Sequence, residues 1–207
     1  MNKVTALRIG KGQKKRVNVF LNDRFAFSLE AEVVIKEGLQ VGQELSASQI
    51  EALAKSDHFH RCLKAAIHYL GYRPRSEFEV RERLKRRDFY DNTIKVVIAK
   101  LKEQGLVDDL DFVRFWQENR DSFSPRSQWL IRVELRQKGV ADNIIDQVTE
   151  IDDDDSAYRA VLSKARHLPR SDYQGFRRRL GEYLKRRGFS YGVINHTIQR
   201  LWREGEN

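Results

Sequence analysis

Cysteine, proline and long apolar runs are all scarce in this chain of 207 residues. Cys62 is the single cysteine, so no disulfide framework and no multi-cysteine zinc site can form. Only 3 prolines interrupt the chain, which permits long helices. No apolar run approaches the roughly 18–20 residues that a membrane span needs, and residues 1–10 lack the apolar core of a secretory signal. We therefore expect a helix-rich cytoplasmic protein that does not contact a membrane.

Basic residues outnumber acidic ones, and the charge is unevenly distributed. The chain has 39 Lys and Arg against 30 Asp and Glu, a formal net charge of +9. Residues 1–55 carry +3, residues 56–107 carry +5, residues 108–155 carry −7 and residues 156–207 carry +8. A basic excess favours polyanionic partners, nucleic acid first. The alternative is that these charges only keep the protein soluble.

The first 30 residues alternate between apolar and polar side chains, as half-buried strands do. The alternating runs are residues 4–9, 17–21 and 24–29. Asn22-Asp23 is a fair hairpin turn between the last two runs, so we predict a small meander of about three strands. From Glu30 the period becomes helical, and Ser46 with Gln49 has the spacing of a capping box.

A pattern of about 50 residues occurs three times in the rest of the chain. Pro74-Arg75-Ser76 matches Pro125-Arg126-Ser127, and buried-type leucines recur at Leu84, Leu135 and Leu184. Each copy predicts three helices, of which the middle one is basic in the first and third copies. Because three short helices bury little alone, neighbouring copies should pack on one another. The predicted fold class is mainly α: three tandem three-helix, helix-turn-helix-like repeats in an elongated array, with a small N-terminal β-meander.

The turn before the third helix of each repeat carries a residue suited to ending a helix. Repeats 2 and 3 have Gly139 and Gly188 there, whereas repeat 1 has Asp88, which enters the left-handed region less readily. We divide the chain into a strand-rich region with short helices and three repeats. The divisions are residues 1–55, 56–107, 108–155 and 156–207.

Several of these residues together resemble the RecX family of RecA regulatory proteins. The resemblance covers residues from about 61 to 150 closely. It is carried by Tyr69-Leu70, Arg73-Pro74-Arg75-Ser76-Glu77, Gly105-Leu106-Val107-Asp108-Asp109 and Lys138-Gly139-Val140. The third repeat fits more loosely, through Arg187-Gly188-Phe189. The first 55 residues have no counterpart in the shortest family members, so we interpret them as a departure or an extension.

The resemblance implies a non-enzymatic modulator of RecA. Proteins similar to this one bind along the groove of the RecA–DNA filament. They inhibit its ATPase, strand exchange and co-protease activities, usually dampening the SOS response. The expected partners are the RecA filament and single-stranded and double-stranded DNA, contacted through the backbone. We expect a monomer without cofactor or bound metal.

Basic side chains, most of them on the predicted middle helices, are the candidate contacts with RecA or DNA. Clustered cations that face a phosphate chain gain by releasing counterions, so such binding weakens with salt. The alternative is a solvated face with i, i+4 pairs such as Glu82 with Arg86. The candidates are Arg73, Arg75, Arg83, Arg86, Arg87, Arg132, Lys138, Arg178, Arg179, Lys185, Arg186 and Arg187.

Two other functions fit parts of the sequence. A helix-turn-helix protein would read bases in the major groove, but the exposed faces are mostly Arg, Lys and Glu rather than the Asn, Gln or Ser of base readout. A nuclease could hold a divalent cation at the run Asp152–Asp155, which otherwise is a solvated linker. Trp116, Trp129 and Trp202 lie at helical spacing on apolar faces, which predicts core residues rather than base-stacking ones.

Overall fold

Four antiparallel strands form the N-terminal sheet, in the order β3-β2-β1-β4. The strands are β1 (Asn2–Ile9), β2 (Arg16–Leu21), β3 (Arg24–Glu30) and β4 (Glu44–Leu45). The predicted meander is confirmed as β1 to β3, and β4 adds a short edge strand beside β1. Asn22 and Asp23 form the predicted turn with φ of 48° and 62°, the positive values that a type I′ hairpin turn requires.

The computed structural model describes residues 2–10, 16–147, 151–169 and 171–205. These residues contain ten helices: α1 (Ala31–Lys36), α2 (Ala47–Leu70), α3 (Glu77–Lys85), α4 (Asp91–Glu103), α5 (Asp109–Phe123), α6 (Gln128–Gln137), α7 (Asp142–Ile145), α8 (Asp153–Arg166), α9 (Tyr173–Arg186) and α10 (Tyr191–Glu204). No helix in these ranges is long and apolar enough to cross a membrane.

Two compact units divide the chain. The first unit comprises Met1–Arg73 and Val80–Leu106, and the second comprises Pro74–Glu79 and Val107–Asn207. In the first unit α1 and α2 cover the apolar face of the sheet. The buried residues of this layer are Val4, Val19, Leu29, Val33, Leu39, Leu45 and Leu53.

Helix α2 begins with the predicted capping box. The Ser46 side chain accepts a hydrogen bond from the Gln49 N–H, and the Gln49 side chain accepts one from the Ser46 N–H. The helix then continues for 24 residues and passes through residues 55 and 56, where the sequence division places the start of repeat 1. That division therefore falls within one continuous helix.

The predicted three-helix repeats are confirmed. Repeat 1 consists of the second half of α2 with α3 and α4, repeat 2 of α5 to α7, and repeat 3 of α8 to α10. The aligned leucines Leu84, Leu135 and Leu184 are all 0% exposed, as the shared pattern predicts. Helix α7 is only 4 residues long. Val148, which follows Ile144 and Ile145 at helical spacing in the sequence, lies outside the described residues.

Candidate functional site

Four of the candidate cations lie together on the outer face of α9. Phe176, Leu180 and Leu184 are buried at i, i+4 and i+8, so one stripe of this helix faces the core of repeat 3. The remaining face is open to solvent, and its exposed side chains near the middle and end of the helix are arginine, lysine and glutamate. The exposed cations, which form no ion pair within the described part of the chain, are Arg178, Arg179, Lys185 and Arg186.

A second exposed group of cations lies in repeat 1. Arg83, Arg86 and Arg87 are exposed near the C-terminal end of α3, and the Arg83 guanidinium lies 5.6 Å from the centre of the Tyr69 ring. The carboxylate of Glu82 pairs with Lys85 at 3.9 Å, although the sequence suggested Arg86 as its partner. Arg73 and Arg75, the other candidates of this repeat, are partly buried.

Three candidate cations are engaged inside the second unit and do not join the exposed face of α9. The Arg187 guanidinium donates to Ser124 Oγ and to the Pro125 carbonyl, both at 2.9 Å, and to the Tyr183 hydroxyl at 2.6 Å. Lys138 Nζ pairs with Glu79 Oε1 at 2.8 Å. Arg132 pairs with Asp146 at 2.8 Å. These side chains hold neighbouring segments together.

The Pro-Arg-Ser motif forms a junction between segments of the second unit. Ser76 Oγ accepts from the Glu79 N–H at 3.1 Å and donates to the Lys138 carbonyl at 2.6 Å, so it caps the start of α3 and also binds the turn after α6. Ser127 repeats the arrangement, because its Oγ accepts from the Leu130 N–H at 3.2 Å and its own N–H donates to the Arg187 carbonyl at 3.0 Å. Sequence reasoning identified the motif but missed this role.

The glycine turns are the other half of the same junction. A Cβ at Gly139 would overlap the side chain of Phe78, and one at Gly188 would lie 2.6 Å from Ser127 Oγ. Asp88 occupies the matching turn of repeat 1 with φ of 60°, and its side chain is exposed. A side chain is therefore possible at Asp88, whereas the other two turns need glycine for space as well as for φ.

Trp129 belongs to this junction and corrects a prediction about the core. We expected all three tryptophans to be core residues, but Trp129 is 63% exposed. Its Cε3 atom lies 3.3 Å from the position of a Cβ on Gly188. Trp116 and Trp202 are partly buried and pack against Phe112 and Phe176.

A buried carboxylate explains the arginine of the motif in repeat 2. Glu134 is 8% exposed and accepts hydrogen bonds from Trp116 Nε1 and Arg120 Nε, both at 2.8 Å. It also forms an ion pair with Arg126. Burial lowers the pKa of the Arg120 and Arg126 guanidiniums, as expected for cations removed from water.

The four consecutive aspartates serve separate structural contacts. Asp152 caps α8 by accepting from the N–H groups of Asp154 and Asp155. Asp153 Oδ1 accepts from the Gln128 N–H at 2.8 Å at the start of α6, and burial raises the pKa of this carboxyl. Asp154 contacts His196 and Asp155 pairs with Arg159. Among the described residues no group of three or more metal-ligating side chains is found.

Other aspartates repeat the contact made by Asp153. Asp109 Oδ1 accepts from the Glu77 N–H at 2.8 Å at the start of α3. In the first unit Asp57 Oδ1 accepts from the Glu30 N–H at 2.7 Å at the start of α1. A carboxylate at a helix N-terminus satisfies an otherwise unpaired N–H and interacts favourably with the helix dipole. The same contact therefore joins consecutive segments three times.

Family models match most of the chain. Residues 2–46 match the Regulatory protein RecX N-terminal domain, and residues 62–101, 108–148 and 152–198 match the first, second and third three-helix domains of RecX. The chain belongs to the RecX family. Its strand-rich N-terminal region matches a RecX domain of its own, so of our two interpretations, a departure or an extension, the departure is wrong.

Whole-length relatives support the same assignment. The Regulatory protein RecX of Clostridium perfringens (strain SM101 / Type A) is 28% identical over 207 residues, with 97% of each chain covered. The Regulatory protein RecX of Clostridium botulinum (strain Eklund 17B / Type B) is 29% identical over 205 residues, with 96% of each covered.

Solved RecX structures share the fold. A crystal structure of regulatory protein RecX is similar with a TM-score of 0.68 at 25% identity, covering 96% of this chain and 100% of that one. The crystal structure of RecX from Lactobacillus salivarius gives a TM-score of 0.58 at 25% identity, covering 70% of this chain and 97% of that one.

Proposed function

We propose that this RecX-family protein is a non-enzymatic regulator of the RecA recombinase. It binds the RecA–DNA filament and inhibits its ATPase, strand exchange and co-protease activities, and so acts in recombination and the SOS response. The observation that supports this most directly is the exposed set Arg178, Arg179, Lys185 and Arg186 on α9, for which the described residues supply no ion-pair partner. Four such cations on one helix favour an external polyanion.

The proposed contacts with single-stranded and double-stranded DNA are electrostatic. Arg83, Arg86 and Arg87 supply a second exposed group in repeat 1, and Arg73 and Arg75 are partly buried candidates. Each cation that neutralises a phosphate releases counterions, so affinity falls as salt rises. The protein acts as a monomer in the cytoplasm, where RecA filaments form, and needs no cofactor for binding.

The test is a titration of RecA's single-stranded-DNA-dependent ATPase with the purified protein at two salt concentrations. Inhibition at amounts well below the RecA concentration is expected, because a regulator of the filament acts on many RecA subunits from few sites. An ATPase that is unchanged at saturating protein would overturn the proposal. Inhibition seen only in excess over DNA and lost at higher salt would instead show simple competition for phosphates.

A further inference from the structure

A groove of about 450 Å³ runs between α9 and α10 in repeat 3. Arg177, Arg178 and Lys185 of α9 line it, and Ile194 and Ile198 of α10 form its apolar floor. The lining stretch of α9, residues 174–185, is about 16 Å long at 1.5 Å per residue. Its rim carries these three cations and one acid, Glu182, above an apolar floor, which suits a ligand that is both anionic and partly apolar.

Tyr191, another lining residue, is exposed yet held in place. It is the first residue of α10 and is 72% exposed. Arg177 Nη2 donates to the Tyr191 hydroxyl at 3.2 Å and to Asn195 Oδ1 at 3.4 Å. An aromatic ring that is fixed at its hydroxyl and open to solvent is a ready platform for stacking a flat group.

Repeats 1 and 2 place an acid where repeat 3 has Tyr191. Alignment on the shared leucines puts Asp91 and Asp142 at this position, and each is also the first residue of its helix. Asp142 pairs with Arg136 at 2.7 Å, and Asp91 pairs with Lys85 at 3.7 Å. These two cations align with Lys185. In repeat 3 the acid is replaced by the tyrosine, and within the described chain Lys185 has no ion pair.

Gly181 opens the same groove further. It aligns with Arg132 of repeat 2, which pairs with Asp146, the residue aligned with Asn195. A Cβ on Gly181 would meet only Ile194 and Ile198, at the ordinary contact distance of 3.9 Å. Glycine inside a helix costs about 1 kcal/mol relative to alanine, and packing does not require it here. Repeat 3 thus leaves open the position that repeat 2 fills with an arginine and its acidic partner.

We propose that the groove between α9 and α10 binds a segment of single-stranded nucleic acid, with one base stacked on Tyr191 and the backbone phosphates held by Arg178 and Lys185. The cations select a polyanion, and the exposed ring selects one whose bases are not already stacked in a duplex. An acidic peptide would satisfy the cations but would leave the ring without a flat partner. This proposal rests on the DNA binding that is part of the proposed function, and it adds where the single strand binds.

The experiment compares two dye-labelled oligonucleotides of equal length, oligo(dT) and an abasic deoxyribose-phosphate chain, by fluorescence anisotropy with the full-length protein. The wild type should bind oligo(dT) more tightly. Tyr191→Asp combined with Gly181→Arg gives repeat 3 the residues that repeat 2 carries at the aligned positions, so the fold should accept both changes. The double variant should lose about tenfold in affinity for oligo(dT), because it loses the stacking ring and its new acid competes for Lys185. Its preference over the abasic chain should disappear with the ring.

Two controls separate stacking from charge. Tyr191→Phe keeps the ring and should retain most of the preference for oligo(dT). Ser163→Asp introduces one negative charge at an exposed position of α8, outside the groove, and should change binding to both oligonucleotides equally and only slightly. Equal wild-type affinity for the two oligonucleotides, or unchanged oligo(dT) affinity in the double variant, would overturn the proposal.

RecA ATPase inhibition is measured in parallel so that the two proposals can fail separately. A double variant that loses inhibition but keeps its oligo(dT) affinity would assign the groove to an acidic protein segment and overturn the nucleic-acid proposal. A wild type that prefers oligo(dT), through Tyr191, but leaves the ATPase unchanged would support the groove while overturning filament regulation.

Discussion

Ser127 lies directly against Gly188, the turn glycine of the following repeat. The N–H of Ser127 donates to the Arg187 carbonyl at 3.0 Å, and a Cβ on Gly188 would lie 2.6 Å from Ser127 Oγ and 2.7 Å from Leu130 Cβ. Repeats 2 and 3 are thus joined at a distance that leaves no room for a side chain. Tight packing of this kind makes a junction sensitive to a single added methyl group.

Replacing Gly188 with alanine should destabilise the protein by about 2–4 kcal/mol, since the methyl group adds a clash to the cost of positive φ. Gly105→Ala is the matched control, because Gly105 has φ of 67° and nothing within 4 Å of an added Cβ. The free energy of unfolding of this control should fall by only about 1–2 kcal/mol. Urea unfolding followed by circular dichroism measures both. Equal losses would show that the contact with Ser127 contributes nothing.

Arg187→Ala should lower the free energy of unfolding by about 2–3 kcal/mol, because charge-assisted hydrogen bonds to Ser124, Pro125 and Tyr183 are lost. The adjacent Arg186→Ala should change it by less than about 0.5 kcal/mol, since Arg186 is exposed. Tryptophan fluorescence is a suitable probe because Trp116, Trp129 and Trp202 all lie in the second unit. The opposite ranking of the two variants would refute a structural role for Arg187.

Asp153→Asn should flatten the dependence of stability on pH. Burial raises the pKa of Asp153 in the folded state, so the fold favours the neutral acid. The resulting stabilisation is present below the unfolded pKa and is lost as pH rises through the folded pKa. Asparagine stays neutral and keeps an oxygen to accept from the Gln128 N–H. The free energy of unfolding, measured in urea between about pH 4 and 7, should therefore fall less steeply with rising pH in the variant than in the wild type.

Asp153→Ala is the companion variant, because it also removes the acceptor for Gln128. It should be less stable than Asp153→Asn by about 1 kcal/mol at all pH values. An unchanged dependence of stability on pH in Asp153→Asn would contradict the raised pKa of Asp153.

The nuclease hypothesis is tested with the same residues. If magnesium-dependent cleavage of labelled DNA accompanies the protein and disappears in Asp153→Asn with Asp154→Asn, the acidic run has a chemical role beyond these contacts.

Arg178→Glu combined with Arg179→Glu should weaken inhibition of the RecA ATPase by about tenfold and leave the fold intact, because both side chains are exposed. The log–log salt slope of DNA binding should fall by about 2, one for each lost phosphate contact. Lys95→Glu with Arg114→Glu makes the same change in net charge at exposed positions elsewhere and should have a much smaller effect. Undiminished inhibition by a double variant with a normal circular dichroism spectrum would contradict the assignment.

Local patterns allowed much of the fold to be predicted. The turn at Asn22 and Asp23, the capping box at Ser46 and the buried leucines of the repeats each depend on residues within a few positions of one another. The exposed cations of α9 could also be predicted from a local pattern. Because Leu180 and Leu184 are buried on one face of the helix, the residues on its other face are exposed to solvent.

Helical and strand periodicity shows which side of each element is apolar, so the repeat and the cationic face of α9 could be predicted from the order of residues alone. Three other features depend on packing: Arg187 joins two repeats, Trp129 lies outside the core, and Tyr191 and Gly181 open a groove. Arg187 meets Ser124 across 63 residues of chain. Such contacts depend on how one helix packs against another, and no local pattern records them.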